Sequence, residues 1–165
     1  MENSKLCRPA NLSDAGIVAE IWNQGIEDGN ATLETKPRND VFVKQWLLNR
    51  EPRYSVMVAE LSGEVSGWLS LNPFSQREAY KFVADISIYV KKDMRGTGIG
   101  TFLLDHGIIT AVNNGFHKMV LTMIHGNEIA KKLYLSRGFL SVGILHEQGI
   151  LNERWVDTEI MEKIL

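Results

Sequence analysis

The stretch "MRGTGIGTFLL", residues 94–104, places Gly96, Gly98 and Gly100 within five positions and then turns apolar. Glycine lacks a Cβ, so a ligand can approach the backbone of such a turn closely. The apolar residues that follow predict a helix, whose N-terminus presents N–H groups and a partial positive charge. Lys91, Lys92 and Arg95 add formal charge beside the turn. The pattern favours an anion site, and a tightly turned helix start is the alternative.

Two common nucleotide motifs do not fit this turn. The dinucleotide fingerprint is G-x-G-x-x-G, whereas the third glycine comes one residue early here and Thr101 follows it. That fingerprint also follows the first strand of its domain, and this turn lies in mid-chain. A P-loop needs Gly-Lys-Ser/Thr, a sequence that does not occur in this chain.

Composition limits the class of protein. The 165 residues are 44% apolar and 23% charged with a net charge of −2, which predicts one globular domain over residues 1–165. We find no basic run typical of nucleic-acid binding and no apolar stretch of about 18 residues that would span a membrane. Cys7 is the single cysteine and the four histidines lack metal-ligand spacing, so we expect no disulfide and no metal. No signal segment is evident, and we expect a cytoplasmic protein.

Periodicity and turn residues predict the order β-α-α-β-β-β-α-β-α-β-β, a mixed sheet with helices packed on it. Ser13 is expected to cap the first helix, and the second helix is expected to carry a face running from Phe42 to Arg50. Gly138 stands just past the fourth helix, at a C-cap position. The strands are predicted at 5–8, in a hairpin over 54–71 around Gly63, at 79–90, at 118–124, and at 139–148 and 154–164 joined around Gly149 and Asn152.

Arg95-x-x-Gly98-x-Gly100 resembles the Q/R-x-x-G-x-G/A motif of the GNAT superfamily of acyl-CoA-dependent N-acyltransferases. The element order and "LYLSRGF" (133–139) are also similar to that family. The resemblance implies an α/β (α+β) GNAT fold, with a twisted, mostly antiparallel mixed sheet of six to seven strands and helices on both faces. It implies acetyl-CoA as co-substrate, with its pyrophosphate in the glycine turn. The residues implied to hold it are Ile88, Tyr89, Val90, Arg95, Gly96, Thr97, Gly98, Ile99, Gly100, Thr101 and Asn127.

Three further segments resemble the phosphinothricin and methionine sulfoximine N-acetyltransferases within that superfamily. They are "IWNQGIEDGNATLET" (21–35), R-x-A-Y-x-x-x-A-D-I-S-I-Y-V from Arg77 to Val90, and "NERWVDTEIME" (152–162). The resemblance implies a homodimer that acetylates a small amino acid by direct attack of its amine on the thioester. Arg77 would bind the acceptor's carboxylate, with Tyr80, Asn30, Thr32 and Glu34 completing the pocket. Solvent exposure of Arg77 and ordinary turn chemistry in the loop are the alternatives.

The same resemblance implies two catalytic residues. Asp85 stands where that branch carries a Glu thought to act as base, and the shorter Asp would act directly or through a water. A structural carboxylate is the alternative. Tyr134 matches a residue near the thioester sulfur that protonates the leaving thiolate, and a plain core aromatic is its alternative. Asn127 suits both a helix N-cap and a hydrogen bond to the cofactor.

Two other functions remain open at this point. The acceptor could be a protein N-terminus, a ribosomal protein or a polyamine, which would need an open groove rather than a closed pocket with a cation. The chain could also be a non-catalytic acyl-CoA sensor, because Asp85 departs from the Glu of the branch.

Overall fold

The computed structural model describes residues 4–165, which form a seven-stranded sheet in the order β1-β2-β3-β4-β5-β7-β6. The helices are α1 (Ala15–Asp28), α2 (Asp40–Leu48), α3 (Ile99–Asn113) and α4 (Glu128–Leu135). The strands are β1 (Lys5–Pro9), β2 (Val56–Leu61), β3 (Glu64–Pro73), β4 (Val83–Val90), β5 (Lys118–Ile124), β6 (Leu140–Leu151) and β7 (Arg154–Ile164). This order of elements confirms the predicted mixed sheet and its GNAT-like arrangement.

The pairing of β4 with β5 decides the shape of the centre. All other neighbouring strands are antiparallel, whereas β4 and β5 are parallel and pair only over Val83–Asp85 and Lys118–Val120. Beyond Asp85 the two strands diverge, although β4 stays paired with β3 up to Val90. The rest of β4 therefore presents a backbone edge toward a gap in the middle of the sheet.

Alternation along β4 builds two cores, one on each face of the sheet. Ala84 and Ile86 are buried with residues of α3, and Tyr134 of α4 joins the same cluster. Tyr89 points the other way, into the cluster that α1 and α2 form with Trp68. Its ring stacks on Trp68 with centroids 4.7 Å apart, and such a pair contributes about 0.5–1.5 kcal/mol beyond burial.

Two predictions at the ends of α1 and α2 are wrong. Ser13 does not cap α1, because a 3-10 turn over Leu12–Asp14 comes first and the side chain of Asn11 accepts the N–H of Ser13 instead. Asp14 completes this capping box by accepting the N–H of Asn11. Arg50 is not part of α2, which ends at Leu48, because its guanidinium turns to hydrogen-bond acceptors elsewhere.

Two strand predictions also need correction. β4 begins at Val83 rather than at residue 79, because Glu78–Tyr80 forms a 3-10 turn. Gly149 lies inside β6 and not in the connection to β7, which is made at Asn152 and Glu153, both with positive φ. An irregularity in the β6–β7 pairing between Leu145 and Gly149 lets the strand run on past the expected turn.

No helix within residues 4–165 has the length and apolar character needed to cross a membrane. Over the same residues, no three His, Cys, Asp or Glu side chains come together in a group that could hold a metal ion.

Candidate active site

Asp85 is the last residue of β4 that pairs with β5, so its carboxylate lies at the point where the two strands diverge. Burial raises the pKa of this carboxyl to about 6. Among residues 4–165 we find no hydrogen-bond donor or cation in contact with it, although half-buried carboxylates are usually paired. Its side chain can therefore accept a proton from a bound molecule at neutral pH.

Tyr134 of α4 contributes a phenol near the same position. Its side chain is buried, only 7% exposed, and the ring packs against Phe139 with centroids 5.6 Å apart. Burial, and then the charges of Tyr89 and Asp85, raise the pKa of Tyr134 above its ordinary value. The phenol keeps its proton at neutral pH and can act as a hydrogen-bond donor, while Asp85 can act as an acceptor.

The glycine turn has the geometry of an anion cradle. Gly96 and Gly98 adopt φ values of +78° and +86°, which L side chains rarely adopt. A Cβ on Gly96 would meet nothing within 4 Å, so the space beside this backbone is open. No side chain caps the N-terminus of α3. The N–H of Phe102 donates to the carbonyl of Gly98, so the N–H groups before Phe102 have no acceptor within the helix. The turn fits a pyrophosphate, the group that the family resemblance implies.

Two of the cations beside this turn, Lys92 and Arg95, are already engaged in ion pairs, which the sequence did not indicate. Arg95 Nη1 lies 2.6 Å from Asp28 Oδ2 and Lys92 Nζ lies 3.7 Å from Asp28 Oδ1. Arg95 Nε also donates to the carbonyl of Val90 at 3.3 Å. Lys5 adds a cation that sequence reasoning missed, since its Nζ donates to the carbonyl of Thr97 from 92 residues away.

The predicted acceptor loop lies against Tyr89 and α1. Burial raises the pKa of the Tyr89 phenol to about 12, and a hydrogen bond between Tyr89 and Thr32 partly opposes this rise. Glu34 accepts the indole N–H of Trp22 and lies 3.4 Å from the guanidinium of Arg38. The structure therefore brings Thr32 and Glu34 beside the same strand that carries Asp85.

Asn127 joins this loop to α4. Its Oδ1 accepts the N–H of Ala130 at 3.2 Å, which confirms the predicted N-cap. Its Nδ2 also donates to the carbonyl of Asn30 at 3.4 Å. The loop and the start of α4 thus meet beside the β4–β5 gap.

Arg77 and Tyr80 lie apart from the residues at the β4–β5 gap. Arg77 is exposed and lines an open cavity of about 730 Å³ between α2, the segment that follows it and the loop after β3. Tyr80 is exposed and packs edge-on against Phe74. Residues 30–34 do not line this cavity, so the predicted acceptor residues fall into two separate groups. The same cavity is lined by Arg50 and Arg53, which sequence reasoning did not single out.

A buried carboxylate holds α4 in place. Glu159 of β7 is 1% exposed, and its carboxylate accepts from Ser141 Oγ at 2.6 Å and Lys131 Nζ at 2.9 Å. His125 Nδ1 lies 3.2 Å from it at the end of β5. These contacts, that of Ser141 first, lower the pKa of Glu159 to about 2. Because Lys131 belongs to α4, this network fixes the helix that presents Tyr134 and Asn127.

The sequence profile of the acetyltransferase (GNAT) family matches residues 19–139, a span that covers most of these features. The chain belongs to the GNAT family of acetyltransferases. The splayed strands, the glycine turn and the helix that follows it are therefore the family's own architecture in this enzyme.

Among curated proteins, this GNAT chain is similar to two groups. It is 29% identical over 160 residues to the L-methionine sulfoximine/L-methionine sulfone acetyltransferase of Pseudomonas aeruginosa, covering 93% of each chain. It is 26% identical over 159 residues to the phosphinothricin N-acetyltransferase of Streptomyces viridochromogenes, covering 94% of this chain and 85% of that one.

Two solved structures share its fold. The ribosomal-protein-alanine N-acetyltransferase of Brucella melitensis superposes with a TM-score of 0.93 at 33% identity, covering 97% and 99% of the two chains. The phosphinothricin acetyltransferase of Sinorhizobium meliloti, in complex with acetyl-CoA, superposes with a TM-score of 0.92 at 28% identity, covering 98% and 88%. Acetyl-CoA is thus bound by a relative with the same fold.

Proposed function

We propose that this GNAT enzyme transfers the acetyl group of acetyl-CoA to the amine of a small amino acid or glutamate analogue of the phosphinothricin or methionine sulfoximine type. Relatives that acetylate such compounds match nearly the whole chain. The observation that carries the proposal is Asp85, a half-buried carboxylate without a partner among residues 4–165, at the point where β4 and β5 diverge.

Asp85 is the base in this proposal. An amino-acid amine is an ammonium at neutral pH and must lose a proton before it can attack a carbonyl carbon. A carboxyl with a pKa of about 6 is ionised at pH 7 and takes that proton, directly or through a water. The amine nitrogen then bonds to the acetyl carbon and the carbon–sulfur bond breaks to release the thiolate. The nitrogen gives up a second proton, which the thiolate takes up directly or through a water, so that the products are the amide and the free thiol.

Tyr134 acts on the leaving sulfur. A thiol has an ordinary pKa near 8.5 and a phenol one near 10. Because burial raises the pKa of Tyr134 further, complete transfer of its proton to the thiolate is uphill. We therefore assign Tyr134 a hydrogen bond to the developing thiolate, rather than the full protonation that the resemblance implies.

Acetyl-CoA supplies the activated thioester, and three parts of the chain would hold it. The exposed backbone edge of Ile88, Tyr89 and Val90 suits an extended amide chain added like a strand. The turn from Arg95 to Thr101 suits the pyrophosphate, and Asn127 lies within reach of the same gap. Holding both reactants together in this way provides much of the rate. We include no metal in this mechanism.

Arg77 would bind the acceptor's carboxylate with a bidentate, charge-assisted pair of hydrogen bonds. Its guanidinium has no acidic partner among residues 4–165 and lines the cavity beside α2. The loop over residues 30–34 would close the other side of the acceptor. In this arrangement the acceptor enters between the two groups of residues.

We also propose a homodimer of one-domain subunits working in the cytoplasm. β6 is an edge strand of the sheet and is exposed along nearly its whole length. Leu140, Val142 and Trp155 are 67%, 56% and 62% exposed, and apolar surface of this kind supports burial against a second copy.

A second candidate acceptor is a protein N-terminus. The similarity to a ribosomal-protein-alanine N-acetyltransferase at 33% identity favours it specifically. A peptide acceptor needs a groove that is open at the site, and it does not need a cation for a free α-carboxylate.

The experiment is thiol release from acetyl-CoA with a panel of amines. We expect phosphinothricin or methionine sulfoximine to be turned over, and Asp85→Asn to remove that turnover. Preferential turnover of a peptide with an N-terminal alanine would instead support the second candidate. Acetyl-CoA binding without turnover of any amine would support a sensor.

A further inference from the structure

The cavity beside α2 holds more positive charge than the proposed reaction uses. Arg50, Arg53 and Arg77 all line it, together with Lys81 and the acids Glu51 and Glu78. Glu78 and Lys81 form an ion pair at 2.7 Å, so their two charges cancel. The three arginines therefore face one unpaired acid, Glu51, and a single α-carboxylate would engage only one of them.

Arg50 is a partly buried residue of this wall. Its Nε donates to the carbonyl of Tyr54 at 2.7 Å, and its Nη2 donates to the carbonyl of Leu71 and to Asn72 Oδ1. These acceptors are neutral, and no carboxylate of residues 4–165 contacts the group. Burial lowers its pKa to about 10, which leaves it charged at neutral pH. A buried cation without a counter-ion is costly unless a ligand supplies one.

Arg53 is unsatisfied in the same wall. Its Nε is buried without a hydrogen-bond acceptor among the residues that the structure describes. Its Cζ lies 4.4 Å from the centroid of the Phe116 ring, a cation–π contact that holds the guanidinium against this ring. A planar guanidinium held in this way is suited to a bidentate anion.

The cavity is connected to the candidate base through Asn72. Asn72 lies directly opposite Asp85 in the β3–β4 pairing, and opposite residues share a face of the sheet with Cβ atoms about 5 Å apart. Arg50 Nη2 is 3.0 Å from the side chain of Asn72. Arg50 thus contacts the side chain of the residue that lies opposite Asp85, and it joins the cavity wall to the neighbourhood of the candidate base.

We propose that Arg50 and Arg53 form a subsite for a second anionic group on the acceptor, which makes the substrate an amino acid with an acidic terminus, such as a carboxylate or phosphinate. This inference rests on the proposed function and narrows it, since a sulfoximine or sulfone side chain carries no charge to fill the subsite. Arg77 then binds the α-carboxylate, and the two anions occupy different arginines.

The binding test uses calorimetry on the whole protein without acetyl-CoA, with glutarate as probe and glutaramide as its uncharged match. We expect saturable glutarate binding that is at least tenfold tighter than glutaramide binding. Arg53→Gln should weaken glutarate binding tenfold. Lys44→Gln should not change it, because Lys44 pairs with Asp40 outside the cavity. Equal binding of both probes, or no effect of Arg53→Gln, would overturn the subsite.

The kinetic test compares phosphinothricin with methionine sulfoximine. We expect Arg53→Gln to raise the KM for phosphinothricin tenfold and to leave that for methionine sulfoximine unchanged. Arg50→Gln should act in the same direction, and Arg53→Gln keeps the test valid where loss of the Arg50 contacts prevents folding. Glutarate binding without acetylation of either compound would refute the proposed function and leave the subsite standing.

Discussion

Asp28 Oδ2 lies 2.6 Å from Arg95 Nη1, so the last residue of α1 holds the arginine of the glycine turn in an ion pair. A carboxylate at a helix C-terminus is unfavourable beside the helix dipole, and Arg95 and Lys92 offset it. The pair also places a negative charge beside the surface proposed for the pyrophosphate. In the proposed complex, Asp28 would compete with acetyl-CoA for Arg95.

Replacing Asp28 should consequently strengthen cofactor binding. We expect Asp28→Asn to lower the KM for acetyl-CoA about threefold, since an exposed ion pair contributes about 0.2–1 kcal/mol. The effect should shrink at high salt because exposed charges are screened. Asp40→Asn, which breaks a pair on α2, is the control and should change nothing. A raised KM would mean that Asp28 positions Arg95 for binding.

The glycine turn can be tested against a glycine of equal strain. Gly98 has a φ of +86° and Gly115 one of +80°. A Cβ added at Gly98 would lie 3.3 Å from Lys5 Nζ, and a Cβ added at Gly115 would have no atom within 4 Å. Alanine at either position should cost about 1–2 kcal/mol of folding free energy. We expect Gly98→Ala alone to weaken acetyl-CoA binding, by tenfold or more in calorimetry. Equal affinity in both variants would remove the pyrophosphate from this turn.

The role of Asp85 has a kinetic signature. Asp85→Asn should lower kcat by ~10²–10⁴, the usual contribution of a positioned base. The wild-type rate should fall on the acid side of pH 6, where the carboxyl takes up its proton, and this limb should be missing in the Asn variant. Asp85→Glu keeps the carboxylate and introduces the residue of the resembled branch, so activity should hold where the site has room for the longer side chain. Wild-type kcat in the Asn variant would leave Glu34 as the next residue to test.

The same carboxyl should also reduce stability at neutral pH. Its pKa is raised on folding from 3.8 to about 6, so the folded state binds its proton more tightly and stability is lost as pH rises through this range. Asp85→Asn removes that cost. We expect urea unfolding at pH 7 to show a gain of about 1–3 kcal/mol, and at pH 3.5 a gain near zero. A pH-independent change would assign the effect to packing.

Replacement of Arg77 should weaken binding of the acceptor and leave binding of acetyl-CoA unchanged. Arg77→Ala removes the proposed charge-assisted pair, so the KM for an amino-acid acceptor should rise tenfold or more while that for acetyl-CoA stays constant. An acceptor whose α-carboxylate is converted to an amide should bind the wild type and the variant alike. A parallel rise in both KM values would make Arg77 structural.

Local pattern was sufficient to predict much of this protein. The strand predicted at 79–90 ends at Val90 as in the structure, and its side chains point to opposite sides of the sheet in turn, which places them in two clusters. Asn127 as an N-cap follows from the chemistry of helix ends. The predicted C-cap position of Gly138 is wrong, because α4 ends at Leu135 with Ser136 as its C-cap, and Gly138 adopts its positive φ two residues further on. The glycine turn, the order of elements and the family resemblance depend on residues close together in sequence.

Contacts between distant segments were decided only by the tertiary structure. The two-residue period of a strand shows on which face of the sheet a side chain lies, but not which side chains surround it. The lack of a hydrogen-bond partner for Asp85 among residues 4–165 could therefore not be predicted. The pairs Asp28–Arg95 and Lys5–Thr97 join segments that lie far apart in the sequence. The proposed subsite depends on the end of α2 at Leu48 and on the contact of Arg50 with Asn72 of β3, so the acceptor class that we propose rests on long-range packing rather than on a local motif.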